Sequence, residues 1–134
     1  MQKIVIDTNE LIFSVLSSKS YSAEIMKMVY DANISLYINA EILEEYAGVL
    51  ARDKFGLSCE RIAKTLQNIR DVGISFNPTR SIIHIRDEDD RIFYDTAKQS
   101  GAILISNDDD LLVLNEDFIM NAEAYIEIMR KIKV

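Results

Sequence analysis

Residues 87–112, DEDDRIFYDTAKQSGAILISNDDDLL, constrain this chain more than any other stretch. They open with four consecutive acids, run through a helical pattern, stop at Gly101, enter a short apolar strand and end in three more aspartates. In a parallel sheet, carboxylates at both ends of such an αβ unit can be brought close in space. Crowded carboxylates are costly unless protonated, solvated or holding a cation. At neutral pH the cation that suits them is a divalent metal with oxygen ligands, Mg²⁺ or Mn²⁺. The competing reading is plainer: acidic runs serve as solvated loops and helix N-caps.

The N-terminus supplies a second half of the pattern. Lys3-Ile4-Val5-Ile6 reads as a buried strand of a parallel sheet, and Asp7-Thr8-Asn9 follows it directly. An acid at the carboxyl end of a first strand lies where open α/β sheets place their ligands. One of these residues suffices to cap the helix through Ile12, Val15 and Leu16, which leaves at least one to explain. Asp108 stands just past the strand Ala102–Ser106, as Asp7 stands past the first.

Between them, Ser22 is expected to cap a helix with Ile25, Met26, Val29 and Tyr30 on one face, and Ile34–Ile38 is a second strand. In the helix after Asn39, Ile42, Leu43, Tyr46, Val49 and Leu50 form one stripe at about 100° per residue. Glu44 points away from that stripe, whereas Glu45 borders it, within reach of a cleft. Another helix runs through Ile62, Leu66 and Ile69 to Gly73, and Ile74–Phe76 forms a third strand. Asp87 or Asp89 caps the helix packed through Ile92, Phe93, Thr96 and Ala97. Periodicity does not decide whether Asp89 or Asp90 faces the interior. A last helix begins at Asn121 and carries Ala124, Tyr125, Ile128, Met129 and Ile132. The order βααβααβαβ(βα) predicts one α/β/α domain over residues 1–134, with a mostly parallel sheet. Right-handed crossovers gather Asp7 and Asp108 on one edge.

Composition limits the function classes. A chain of 134 residues buries a single core, and 49% hydrophobic with 28% charged residues is ordinary for a globular domain. No apolar run reaches transmembrane length. The single cysteine, Cys59, cannot pair internally and fits a reducing cytoplasm, so a cytoplasmic protein is expected, with Cys59 partly buried. His84, the one histidine, is expected to pack among Ile82, Ile83 and Ile85. A net charge of −7 without a basic cluster is unusual for a nucleic-acid binder, unless the acids are gathered in one metal pocket.

Four segments in order, VIDTN, EILEEYAGVLARDKF, RDEDDRIFYDTA and GAILISNDDDLL, resemble the PIN-domain ribonucleases, in particular the VapC-like toxin branch of toxin–antitoxin pairs. The likeness extends over essentially the whole chain, the closing IMNAEAYIEIM included. It implies a three-layer PIN fold and four metal-binding, catalytic acids at Asp7, Glu45, Asp90 and Asp108. It favours Asp90 over Asp89 and gives Thr8, Asn9, Ser106 and Asp110 supporting roles, with Asn9 orienting Asp7. Glu88 and Asn107 stand where the family often has proline and glycine, and Asp109 where a basic residue is common. No presumed ligand is thereby lost.

The resemblance implies a Mg²⁺- or Mn²⁺-dependent endoribonuclease, a homodimer blocked by a cognate antitoxin that inserts a basic side chain into the acidic cleft. Met26, Met28 and Tyr30 are the apolar residues offered for self-association. The rivals are a phosphotransfer receiver domain, a phosphatase with an Asp-x-Asp nucleophile, and a PIN fold kept as an interaction module without cleavage. The receiver lacks its paired acids after strand one and its late lysine, and Asn9 stands where the phosphatase needs a second Asp.

Overall fold

The computed structural model describes residues 2–132. Five strands, β1 (Gln2–Ile6), β2 (Ile34–Ile38), β3 (Ile74–Ser75), β4 (Ile103–Ile105) and β5 (Ile119–Met120), form an all-parallel sheet in the order β3-β2-β1-β4-β5. Among the described residues, seven α-helices complete a three-layer α/β/α architecture: α1 (Thr8–Leu16), α2 (Tyr21–Tyr30), α3 (Ala40–Leu50), α4 (Cys59–Val72), α5 (Arg91–Ser100), the short α6 (Asp109–Leu112) and α7 (Ala122–Ile132). Among them α1, α2 and α7 pack together in sequence, and α5 lies against β1, β2 and β4. No described helix is long and apolar enough to cross a membrane.

The central strand is apolar on both faces, with Ile4, Val5 and Ile6 all fully buried, as covered parallel strands require. Strand order reverses between β1 and β4, which is where open α/β sheets bind ligands. The same order differs from the 2-1-3-4-5 arrangement of flavodoxin-like receivers, which removes that rival on topology.

Several local expectations shift by a residue or a face. The cap of α2 is Ser20, whose hydroxyl accepts from the Ala23 amide at 3.1 Å, while Ser22 is buried inside the first turn. In α7 the packed face is Ala122, Tyr125, Ile126 and Met129, leaving Ile128 and Ile132 exposed. Leu16 and Tyr30 are also exposed, whereas Met26 lies in the core and Met28 packs against it, so neither methionine is spare for self-association. Cys59 is exposed at the first position of α4, and His84 is exposed in the loop after β3. The apolar neighbours of His84 do not cover it because only Ile85 is buried there, and Ile82 is 97% exposed.

Residues 76–87 contain no helix or strand, yet side chains of α5 hold them down. Arg91 donates to the carbonyl and hydroxyl of Ser81 (3.0 Å each) and to Glu88 (2.6 Å). The Asp95 carboxylate accepts from the Ser81 amide, and Gln99 exchanges hydrogen bonds with Thr79. The loop therefore reaches Asp87 on a tethered path.

Gly73 joins α4 to β3 at a close approach. A Cβ there would stand 2.4 Å from Ile38 Cδ1 and 2.8 Å from the Ile69 carbonyl oxygen. Gly73→Ala is expected to cost about 1–3 kcal/mol in urea unfolding, since the backbone contact cannot relax by a rotamer change. Gly48→Ala, with open space around it, is expected to be neutral or stabilising.

Candidate functional site

Asp7 leaves the end of β1 and caps α1, its Oδ1 accepting from the Thr8 amide at 2.7 Å. The Asp7 amide donates to the Ile105 carbonyl at the end of β4, which fixes the two strand ends side by side. Ser106, the next residue of that second strand end, donates its hydroxyl to Asp7 Oδ2 at 2.8 Å and accepts from the Asp108 amide at 3.0 Å. Asp108 Oδ1 in turn accepts from the Asp110 amide at 2.9 Å. One buried hydroxyl thus sets the relative position of two carboxylates that are distant in sequence.

Burial pushes the Asp7 carboxyl up to about 6, against the lowering effect of the Ser106 and Thr8 hydrogen bonds, and the charges of Asp108 and Glu10 add to the rise. The helix N-terminus favours the anion, but loss of water outweighs it. Glu10 was not anticipated as a participant. It is buried and accepts the Ser22 hydroxyl at 2.5 Å, and its position in the first turn of α1 carried no signal beyond that of an ordinary helix-start acid.

Asp90 enters from the opposite side, at the junction of a 3₁₀ turn (Glu88–Asp90) and α5. The turn explains why Asp90 is buried and Asp89 exposed: successive residues advance by about 120° there, so an α-helical wheel extrapolated backwards from Phe93 misplaces them. Asp87 caps the turn through the Asp89 amide, whereas the Asp90 side chain makes no capping bond. Its Oδ2 is buried without a hydrogen-bond partner. Burial first, then the charges of Asp108, Asp7, Asp87 and Asp110, push the Asp90 carboxyl up to about 8.

Carboxylate oxygens of Asp87, Asp90 and Asp110 lie within 4.8 Å of one another. Asp87 was anticipated only as a cap. Its place in the cluster follows from the tethered loop rather than from a local pattern. Arg86 Nη1 stands 3.5 Å from Asp110 and supplies the cluster with one exposed cation. Glu45 is half-buried on α3 and Glu44 is exposed, as the helical stripe requires. The Glu45 carboxyl is raised by burial and then by the charges of Asp89 and Asp87, but neither it nor Asp7 nor Asp108 is among the three acids whose oxygens converge. Asn9 is exposed, and the bonds that orient Asp7 come from Ser106 and Thr8 instead. The Thr8 hydroxyl itself is buried and unpartnered.

These donors fit a hard divalent ion. They are all oxygens, Asp87 and Asp90 meet Asp110 from two separate segments, and Asp90 offers a buried oxygen without a hydrogen-bond partner among the described residues.

A family model described as PIN domain matches residues 3–110. A protein of Methanocaldococcus jannaschii, itself described as uncharacterized, is 32% identical over 118 residues, which cover 86% of this chain and 76% of the relative.

The raised acids make a signed prediction. An acid with a higher pKa in the folded state holds its proton more tightly there, so stability falls as pH rises between the unfolded and folded values. That window runs from 3.8 to about 8 for Asp90 and from 3.8 to about 6 for Asp7. In EDTA, urea unfolding is expected to show a loss on the order of a few kcal/mol between about pH 5 and pH 8. Asp90→Asn is expected to flatten most of that slope, and excess Mg²⁺ to restore stability at the upper end by binding only the folded state. A level or rising profile in EDTA would show that the Asp90 anion is accommodated without cost.

Proposed function

The chain belongs to the PIN-domain family, and from that premise we propose that it is a metal-dependent endoribonuclease, built as one domain over residues 1–134. The observation that carries the reading is the convergence of Asp87, Asp90 and Asp110 beyond the strand ends, with the buried, unpartnered oxygen of Asp90 among them. Asp7, Glu45, Asp90 and Asp108 are the proposed catalytic and metal-holding residues, and the geometry adds Asp87 and Asp110 as further oxygen donors.

Held by these acids, Mg²⁺ or Mn²⁺ would supply the Lewis acidity that phosphodiester hydrolysis needs. The chain's own groups prepare that chemistry. Ser106 holds the Asp7 carboxylate in one orientation while anchoring the Asp108 backbone, so two donors keep a fixed separation. Thr8 secures the other Asp7 oxygen through its amide. Asp90, having no cap to serve, keeps an oxygen free for the ion.

The finer reading makes the chain a cytoplasmic toxin, a homodimer held silent by a cognate antitoxin whose basic side chain sets against these acids. Support for it comes from the four sequence segments and from a cluster whose charge, among the described residues, Arg86 alone offsets directly.

Protein freed of any copurifying partner is expected to cut cellular RNA with Mg²⁺ or Mn²⁺, and EDTA to stop it. Ser106→Ala is expected to reduce metal affinity or activity about 10–100-fold, and Asp90→Asn to reduce it further. If a broad RNA panel stays intact with either metal, the nuclease reading fails and a non-cleaving interaction module takes its place.

A further inference from the structure

Tyr46 is fully buried in the middle of α3, and its hydroxyl donates to the Ile6 carbonyl at 2.5 Å. That carbonyl belongs to the peptide bond leading into Asp7. The N–H of the same peptide group is the Asp7 amide, which donates to the Ile105 carbonyl at 2.9 Å. One peptide group at the end of β1 is thus pinned at both ends, by β4 on one side and by α3 on the other. The Tyr46 ring lies against Phe93, with centroids 6.1 Å apart and planes tilted by 37°. Phe93 is buried on α5, about one turn after Asp90, and Glu45 immediately precedes Tyr46 on α3. The elements that carry Asp7, Glu45 and Asp90 therefore meet at one side chain.

Core packing alone does not account for the hydrogen bond. Tyr125 on α7 is buried almost as deeply, yet its hydroxyl has no partner among the described residues. The fold can bury a phenol without employing its oxygen. At Tyr46 the oxygen is employed, and on the backbone of a proposed metal-holding residue. Burial and then the charge of Asp7 hold the Tyr46 phenol well above its ordinary range, so the hydroxyl keeps its proton and stays a donor. The first turn of α3 is tied as well, since its cap Asn39 donates to Thr96 of α5 at 2.9 Å. Resting on the metal-dependent reading of the site, we propose that Tyr46 is a positioning residue, whose hydroxyl and ring hold Glu45 and Asp90 at a set separation from Asp7. Removing a polar partner behind a metal-holding group costs about 10–100-fold in affinity or activity. Tyr46 acts through a backbone carbonyl rather than on a carboxylate, so the lower end applies.

Two hydroxyl deletions in the full chain test this. Tyr46→Phe removes the hydrogen bond and keeps the ring, whereas Tyr125→Phe removes a buried oxygen that bonds to nothing among the described residues. Mn²⁺ affinity is measured by calorimetry at a temperature where thermal melts show each chain folded, and RNA cleavage at saturating Mn²⁺. Tyr46→Phe is expected to weaken Mn²⁺ binding about tenfold and to lower kcat while leaving KM, and Tyr125→Phe to change neither. A Tyr46→Phe chain that melts earlier but binds Mn²⁺ and turns over as the wild type does overturns the proposal, because the hydroxyl is then a fold contact only. An equal loss of Mn²⁺ affinity in Tyr125→Phe overturns it too, as does a Tyr46→Phe chain without a cooperative melt or a wild type that binds no Mn²⁺. Mn²⁺ binding that depends on the Tyr46 hydroxyl, with RNA left intact by the wild type, keeps the positioning role and removes the nuclease. RNA cut equally by the wild type and Tyr46→Phe, at equal Mn²⁺ affinity, does the reverse.

Discussion

Asp7 carries a carboxylate into the interior at the end of the central strand, and the surroundings of the site are arranged to make that tolerable. Its oxygens receive the Thr8 amide and the Ser106 hydroxyl, and its own amide ties β1 to β4. Each of these bonds also does something else. The Thr8 bond starts α1, the Ser106 bond fixes Asp108 at a distance, and the Ile105 bond closes the gap where strand order reverses. Desolvation still prevails over all three, so the carboxyl remains raised. Burial therefore disfavours the charged form of Asp7, and a cation held beside it would offset that cost.

Comparison among the acids separates structural from chemical roles. Asp87 and Asp108 each accept a backbone amide through Oδ1 at the start of a 3₁₀ turn and of a short helix, so capping engages one oxygen of each carboxylate. Asp90 stands at the start of α5 in a helical conformation and caps nothing. A buried carboxylate oxygen without a donor is the kind of local inconsistency that folded proteins retain where function demands it.

The loop before α5 shows how the chain brings an irregular segment to the site. Its charged and amide contacts with Arg91, Asp95 and Gln99 replace the missing ladder bonds, so Asp87 arrives in a defined position although residues 76–87 form no regular element. A parallel division of labour occurs at Asn39, which caps α3 while its amide donates to Thr96 of α5 and to the Phe76 carbonyl. The outer edge of the sheet and the helix that bears Asp90 are thereby linked.

The sequence by itself determined the alternation of strands and helices, the parallel sheet and the placement of Asp7 and Asp108 just past strand ends. Apolar runs, periodic stripes and stop signals such as Gly101, with its φ of 76°, are local properties that short windows carry. It also placed Glu45 at the edge of its stripe and Glu44 in solvent, because α3 is regular over its whole length. Where an element begins on a 3₁₀ turn or a neighbouring serine, the wheel lost its phase, as at Asp89 against Asp90 and at Ser20 against Ser22. Only the tertiary structure brought Asp87 and Asp110 to Asp90, buried Glu10 against Ser22, and left His84 and Cys59 in water. Those outcomes depend on which loop the crossover connections carry to which face, and on how far water is excluded once it arrives. Neither quantity belongs to any one residue or window of the chain; both come into being when the sheet closes.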